Sequence, residues 1–150
     1  MMIDFIDYDN PATTSIYADM TLKGQIDCYG DMEVIGSLLG DVDCARYLRV
    51  SGYVEGMVTN RDMMITEGGS VKGKLDIGCE CEIRGTLEGE VKAENVVISG
   101  TVRGTVRARS NVRLMDGGRV IGDVTCGSLS ADRGGVIEGN LFFDYSYMNS

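Results

Sequence analysis

A five-residue unit, aliphatic–x–Gly–x–aliphatic, recurs eight times in this chain and leaves few folds open to it. It reads Leu22-Lys23-Gly24-Gln25-Ile26, then Leu38-Leu39-Gly40-Asp41-Val42, then Val54-Glu55-Gly56-Met57-Val58. It continues around Gly73, Gly89, Gly104 and Gly122, and ends as Ile137-Glu138-Gly139-Asn140-Leu141. The eight glycines are spaced 16, 16, 17, 16, 15, 18 and 17 apart. A fixed period of this length marks a repeat architecture, in which each unit buries its apolar face only by stacking on its neighbours.

A second set of columns lies between the glycine units: Met32/Val34, Leu48/Val50, Met63/Ile65, Cys81/Ile83, Val96/Ile98, Val112/Leu114 and Leu129/Ala131. Each pair alternates with polar positions, the period-2 pattern of a strand. Glycine follows each pair, at Gly36, Gly52, Gly68, Gly85, Gly100, Gly117 and Gly134, where a coil must turn a corner. Short strands in a unit of this size cannot build a helix bundle or a doubly wound sheet; they predict a β-solenoid of about eight rungs. At a rung separation of about 4.8 Å the rod is roughly 40 Å long. The site four residues after the motif glycine holds Cys28, Cys44, Asn60, Ile77, Ala93, Ala108 and Cys126, a small inward column. Cys81 falls in an aliphatic column, and Cys79 alone is out of register.

Composition narrows the function. The chain has 150 residues and no histidine, which removes Ser-His-Asp and Cys-His catalysis and histidine-ligated zinc or haem. No G-x-x-x-x-G-K-[ST] loop is present, and the glycines do not open helices, so a nucleotide cradle is not expected. Gly117-Gly118 and Gly134-Gly135 give only fragments of the calcium-binding solenoid pattern. No cofactor and no metal are expected. The net charge of -9 argues against nucleic acid as a partner. Residues 1–66 carry eleven acids against four bases. Arg103, Arg107, Arg109 and Arg113 cluster in the C-terminal half, as a solvated face or as a lateral patch for an acidic partner. No apolar run is long enough to cross a membrane as a helix. No secretory leader is evident, and a cytoplasmic location is expected.

The spacing and the eightfold unit over residues 21–141 resemble those of the bactofilins, bacterial polymer-forming cytoskeletal proteins. The resemblance implies an all-β, right-handed parallel β-helix over residues 20–148, preceded by a flexible tail over 1–19 and followed by a C-terminal end at 149–150. It implies a non-enzymatic protein that assembles end to end, without nucleotide, into non-polar filaments. It also implies scaffolding of cell-wall or polar machinery, co-assembly with a paralogue, and contact with the inner face of the cytoplasmic membrane through the N-terminal segment.

The residues bear on these implications separately. A solenoid has two open ends of unpaired strand edges, and this chain closes on Leu141-Phe142-Phe143-Asp144-Tyr145. Leu141, Phe142, Phe143 and Tyr145 at one end, with Met20 and Leu22 at the other, are the expected polymerisation interface. The aromatics could also fold back over the core. The membrane segment would be Met1, Met2, Ile3, Phe5 and Ile6. The tail carries no Lys or Arg, which disfavours anionic lipid. A β-helical binding module that does not polymerise has the same sequence signature and stays open at this point.

Overall fold

The structure, a computed structural model, describes residues 2–5, 14–18 and 20–143. Within these residues the chain forms nineteen strands and no helix, all joined in one sheet of parallel pairings. Two strands lead, β1 (Met2–Phe5) and β2 (Thr14–Ile16). The first full turn is β3 (Thr21–Lys23), β4 (Gln25–Cys28) and β5 (Met32–Val34); the second is β6 (Ser37–Leu39), β7 (Val42–Cys44) and β8 (Tyr47–Val50). Further on, strands fuse across corners: β9 (Tyr53–Asn60), β10 (Asp62–Ile65), β11 (Ser70–Ile77), β12 (Glu80–Ile83), β13 (Thr86–Ile98) and β14 (Thr101–Leu114). The last turns are β15 (Arg119–Ile121), β16 (Val124–Cys126), β17 (Ser128–Ala131), β18 (Val136–Glu138) and β19 (Leu141–Phe143). The result is a parallel β-solenoid of about eight turns with three faces.

The register follows the repeat. Motif glycines pair with one another, Gly56 with Gly73, Gly73 with Gly89 and Gly89 with Gly104. They form the corner between the first and second faces. The aliphatic residues on either side point inward and stack rung on rung. Val54, Val71, Leu87, Val102 and Val120 fill one column, and Val58, Leu75, Val91, Val106 and Val124 another; all are buried. Met32, Leu48, Met63, Cys81, Val96 and Val112, with Val34, Val50, Ile65, Ile83, Ile98 and Leu114, fill the third face's two columns. Each fully buried Leu, Ile or Val contributes about 1.5–3 kcal/mol, which only neighbouring rungs can supply.

Turns of different length are absorbed at two corners: between the second and third faces, where the register of β13 and β14 shifts by one residue between Ala93 and Asn95, and between the third and first faces. Where two glycines occur in tandem, the second one stacks, not the first. A Cβ on Gly85 would lie 2.2 Å from the Gly69 carbonyl oxygen. Ser70, Arg119 and Val136, each following a tandem pair, donate their amides to the carbonyls of Gly52, Gly100 and Gly118. The column expected through Gly68, Gly117 and Gly134 therefore runs through Gly69, Gly118 and Gly135. The first glycine of the pair sits in a tight turn, closed by Gly69 N–H to Thr66 C=O at 2.8 Å and Gly118 N–H to Met115 C=O at 2.9 Å.

The small column after the motif glycine is buried throughout, and its polar members close the next corner. The Cys44 thiol donates to the Gly30 carbonyl at 3.2 Å. The Asn60 amide nitrogen donates to the Asp62 carbonyl and, at 3.4 Å, to that of Arg46. Burial pushes the Cys44 and Cys81 thiols up to about 12. Cys28, Cys44, Cys81 and Cys126 are buried and Cys79 is exposed, as their column positions require.

Strand pairing also occurs before residue 20. Two stretches of the span read as tail, β1 and β2, pair in parallel with β4 and β5. Ile16 stands in register with Val34 and is buried, so an aliphatic side chain at the right distance extends the core by part of a turn.

Candidate assembly surface

The core is filled by side chains, so the surfaces available to a partner are the two ends and the three outer faces. At the C-terminal end, β17, β18 and β19 pair with β14, β15 and β16 respectively. Their other edges carry no strand among the described residues.

Register assigns each terminal side chain to a column. Leu141 pairs with Val124, Phe142 with Thr125 and Phe143 with Cys126. Val124 and Cys126 are fully buried, so Leu141 and Phe143 continue two core columns, and Phe142 continues the outward column between them. Without a further rung, Leu141 is 37% exposed, Phe143 49% and Phe142 52%. Val136, on the same last turn, is 37% exposed, and Leu129 and Ile137 are only partly buried against the core. Leu129 and Ile137, which the sequence signalled as column members, therefore join Leu141 and Phe143 in one apolar layer, whereas Val136 follows Arg119 in an outward column.

The N-terminal end differs. Leu22, expected at an open interface, is buried; Met20 is 40% exposed. Ile26 and Cys28 are buried to 1% and 3% exposure, and β1 runs in parallel along their strand, with Met2 opposite Gln25 and Phe5 opposite Cys28. Of the residues read as a membrane segment, Met2, Ile3 and Phe5 belong to β1; Met1 and Ile6 lie outside the described residues, as does Tyr145.

The four arginines share one strand but not one surface, because β14 runs across all three faces. Arg103 pairs in register with Glu88 on the first face. On the second, Arg107 Nε lies 3.8 Å from Glu90 Oε1. Arg109 Nη2 donates to the Gly78 carbonyl at 2.7 Å, two turns back at the following corner. Arg113 stands on the third face, between Val97 and Ser130. An exposed pair such as Arg107–Glu90 contributes at most about 1 kcal/mol.

Among the described residues no group of three or more His, Cys, Asp or Glu side chains could hold a metal ion. No helix there is long and apolar enough to cross a membrane.

Comparison with known proteins agrees with this geometry. A family described as polymer-forming cytoskeletal, the bactofilins, matches twice, over residues 38–96 and 79–141. Two overlapping matches along one chain are what a continuous repeat produces. Bactofilin BacO of Myxococcus xanthus is 28% identical over 93 residues, covering 61% of this chain and 73% of that protein. No solved structure matches. The repeat, the parallel solenoid it builds and the two family matches together place this chain in the bactofilin family of polymer-forming cytoskeletal proteins.

Proposed function

We propose that this chain assembles end to end into nucleotide-independent, non-polar filaments that scaffold other proteins, and that the C-terminal layer of Leu141, Phe143 and Ile137 forms one of the two end contacts. One observation carries the reading. Core columns buried along the whole rod reach solvent at Leu141 and Phe143. A second copy meeting this layer with its own would cover both cores and pair both sets of strand edges. The contact is self-complementary, so like ends meet and the filament has no overall direction.

The test is negative-stain electron microscopy of the purified chain without nucleotide, beside Phe143→Arg. Filaments from the native chain and discrete folded particles from the variant are expected. Filaments of normal length from Phe143→Arg would remove this end from the contact. Discrete particles from the native chain at every salt and concentration would instead favour a binding module that does not polymerise.

A further inference from the structure

The two ends of the rod are not equivalent. At the C-terminal end the core columns lie open, whereas at the N-terminal end β1 occupies the edge of β4. Two copies joined through their C-terminal ends would therefore turn two β1-covered ends outward. Growth beyond a pair needs a second contact, and on the second face the edge on which a neighbouring strand would pair is the one β1 already fills, as β2 fills that of β5 on the third. We propose that β1 is a detachable strand that caps the N-terminal end, and that its release exposes β4, Ile26 and Cys28 to the N-terminal end of a second copy. This rests on the end-to-end reading above and adds what controls it.

Three features together mark β1 as a weakly held strand. The first is its tether. Motif glycines of successive rungs are 15 to 18 residues apart, but Met2 pairs with Gln25, 23 positions on. The connection to β2 is thus longer than that of any regular turn, and it contains the one proline, Pro11. The second is incompleteness. β1 has four residues and one partner strand. On the first face, β3 pairs with β6 and has no strand on its outer edge among the described residues, so β1 belongs to a turn that lacks one of its three sides. The third is charge. Asp4 is in register with Asp27, which is in register with Asp43, and like charges placed directly opposite weaken strand pairing. No other register column has acids at three successive rungs. A short edge strand on a long tether is drawn from the low-stability end of a structure. A second copy can displace it because the intermolecular pairing replaces the same backbone bonds.

The experiment uses the full chain in four forms: native, a deletion of residues 2–5, Phe143→Arg, and the deletion combined with Phe143→Arg. Mass is read by light scattering on a sizing column, and filament onset by sedimentation over a concentration series. With the C-terminal contact removed, Phe143→Arg is expected as a monomer of 16.2 kDa, and the combined variant as a dimer. In the native background the deletion should lower the concentration at which filaments appear by about tenfold, the effect of removing a competitor that holds its site at least ten to one. Ile3→Pro, which removes a backbone donor from β1 with the rest of the chain intact, should shift the onset in the same direction. Monomers from both Phe143→Arg forms, together with an unchanged native onset, would overturn the proposal. So would a deletion variant that loses its β circular dichroism, since β1 would then be an integral part of the fold. Persistent filaments from Phe143→Arg would refute the C-terminal contact, and the β1 proposal would then be decided by the native-background onset alone.

Discussion

Gly104 stacks on Gly89 so closely that a Cβ at Gly104 would lie 1.8 Å from the Gly89 carbonyl oxygen, and Gly104 holds φ at +141°. Both the space and the backbone conformation exclude a side chain. This corner recurs at each motif glycine, which is why the five-residue unit recurs.

Gly104→Ala should therefore be far more damaging than an average glycine substitution. The backbone strain and the clash together should cost about 2–4 kcal/mol. Gly68 provides the contrast, since a Cβ there would meet nothing closer than the Ser51 carbonyl oxygen at 3.7 Å. Gly68→Ala should be neutral, or stabilising by about 0.4–1 kcal/mol through the unfolded chain. Urea unfolding followed by circular dichroism checks both. Equal losses would mean that the stacking distance does not set the cost.

Asn60 is the one buried polar side chain among the described residues, and its Oδ1 has no hydrogen-bond partner. An unmet buried acceptor costs about 1–3 kcal/mol. Cys44, in the same column, satisfies a corner carbonyl with a thiol and leaves nothing unpaired. Asn60→Cys should raise stability by about 1 kcal/mol, and Asn60→Asp should lower it by about 3 kcal/mol or more, because it buries a charge without a partner. Thermal melts at neutral pH order the three proteins. A native chain more stable than Asn60→Cys would show that the amide nitrogen's bonds outweigh the orphaned oxygen.

The buried thiols give the fold an alkaline limit. Burial raises Cys44 and Cys81 from 9.0 to about 12, so the unfolded chain loses these protons first. Their contribution is complete below about pH 9 and is lost as pH rises through 9 toward 12, by about 1.4 kcal/mol per pH unit for each thiol. Cys81→Val, which keeps an apolar group in its column, should flatten part of that slope. Denaturant midpoints in reducing buffer from pH 8 to 11 measure it, and parallel slopes for the native and variant chains would exclude Cys81 as a contributor.

Phe142 and Phe143 are neighbours in sequence and on opposite sides of β19. Phe143→Arg places a charge over the Cys126 column and should abolish filaments. Phe142→Arg places one in the outward column that already holds Arg107 and Thr125, and should reduce filament mass in a sedimentation assay severalfold at most. Equal loss from both would mean that the contact extends down the side of the rod.

The core was legible in the sequence because a solenoid core is local in a special sense. Alternation decides which residues point inward, and the period decides which residues stack. Every member of the column pairs from Met32/Val34 to Val112/Leu114 is buried, since both rules can be read from spacing. The arginines show where spacing stops. Closeness in sequence suggested one patch, but fourteen residues of β14 run across three faces of the rod, and the side chains disperse.

The sequence by itself determined the solenoid, its core columns and its glycine corners, because a backbone contact that excludes Cβ leaves only one residue type at each position. The tertiary structure decided which tandem glycine stacks, which phenylalanine continues the core, and which end is open. Those depend on turn closure and on whether a neighbouring rung is present, and neither is encoded in the period. β1 is the sharpest case. Its 23-residue offset breaks the repeat, so only the pairing in space shows that it lies on the edge where the rod would otherwise continue.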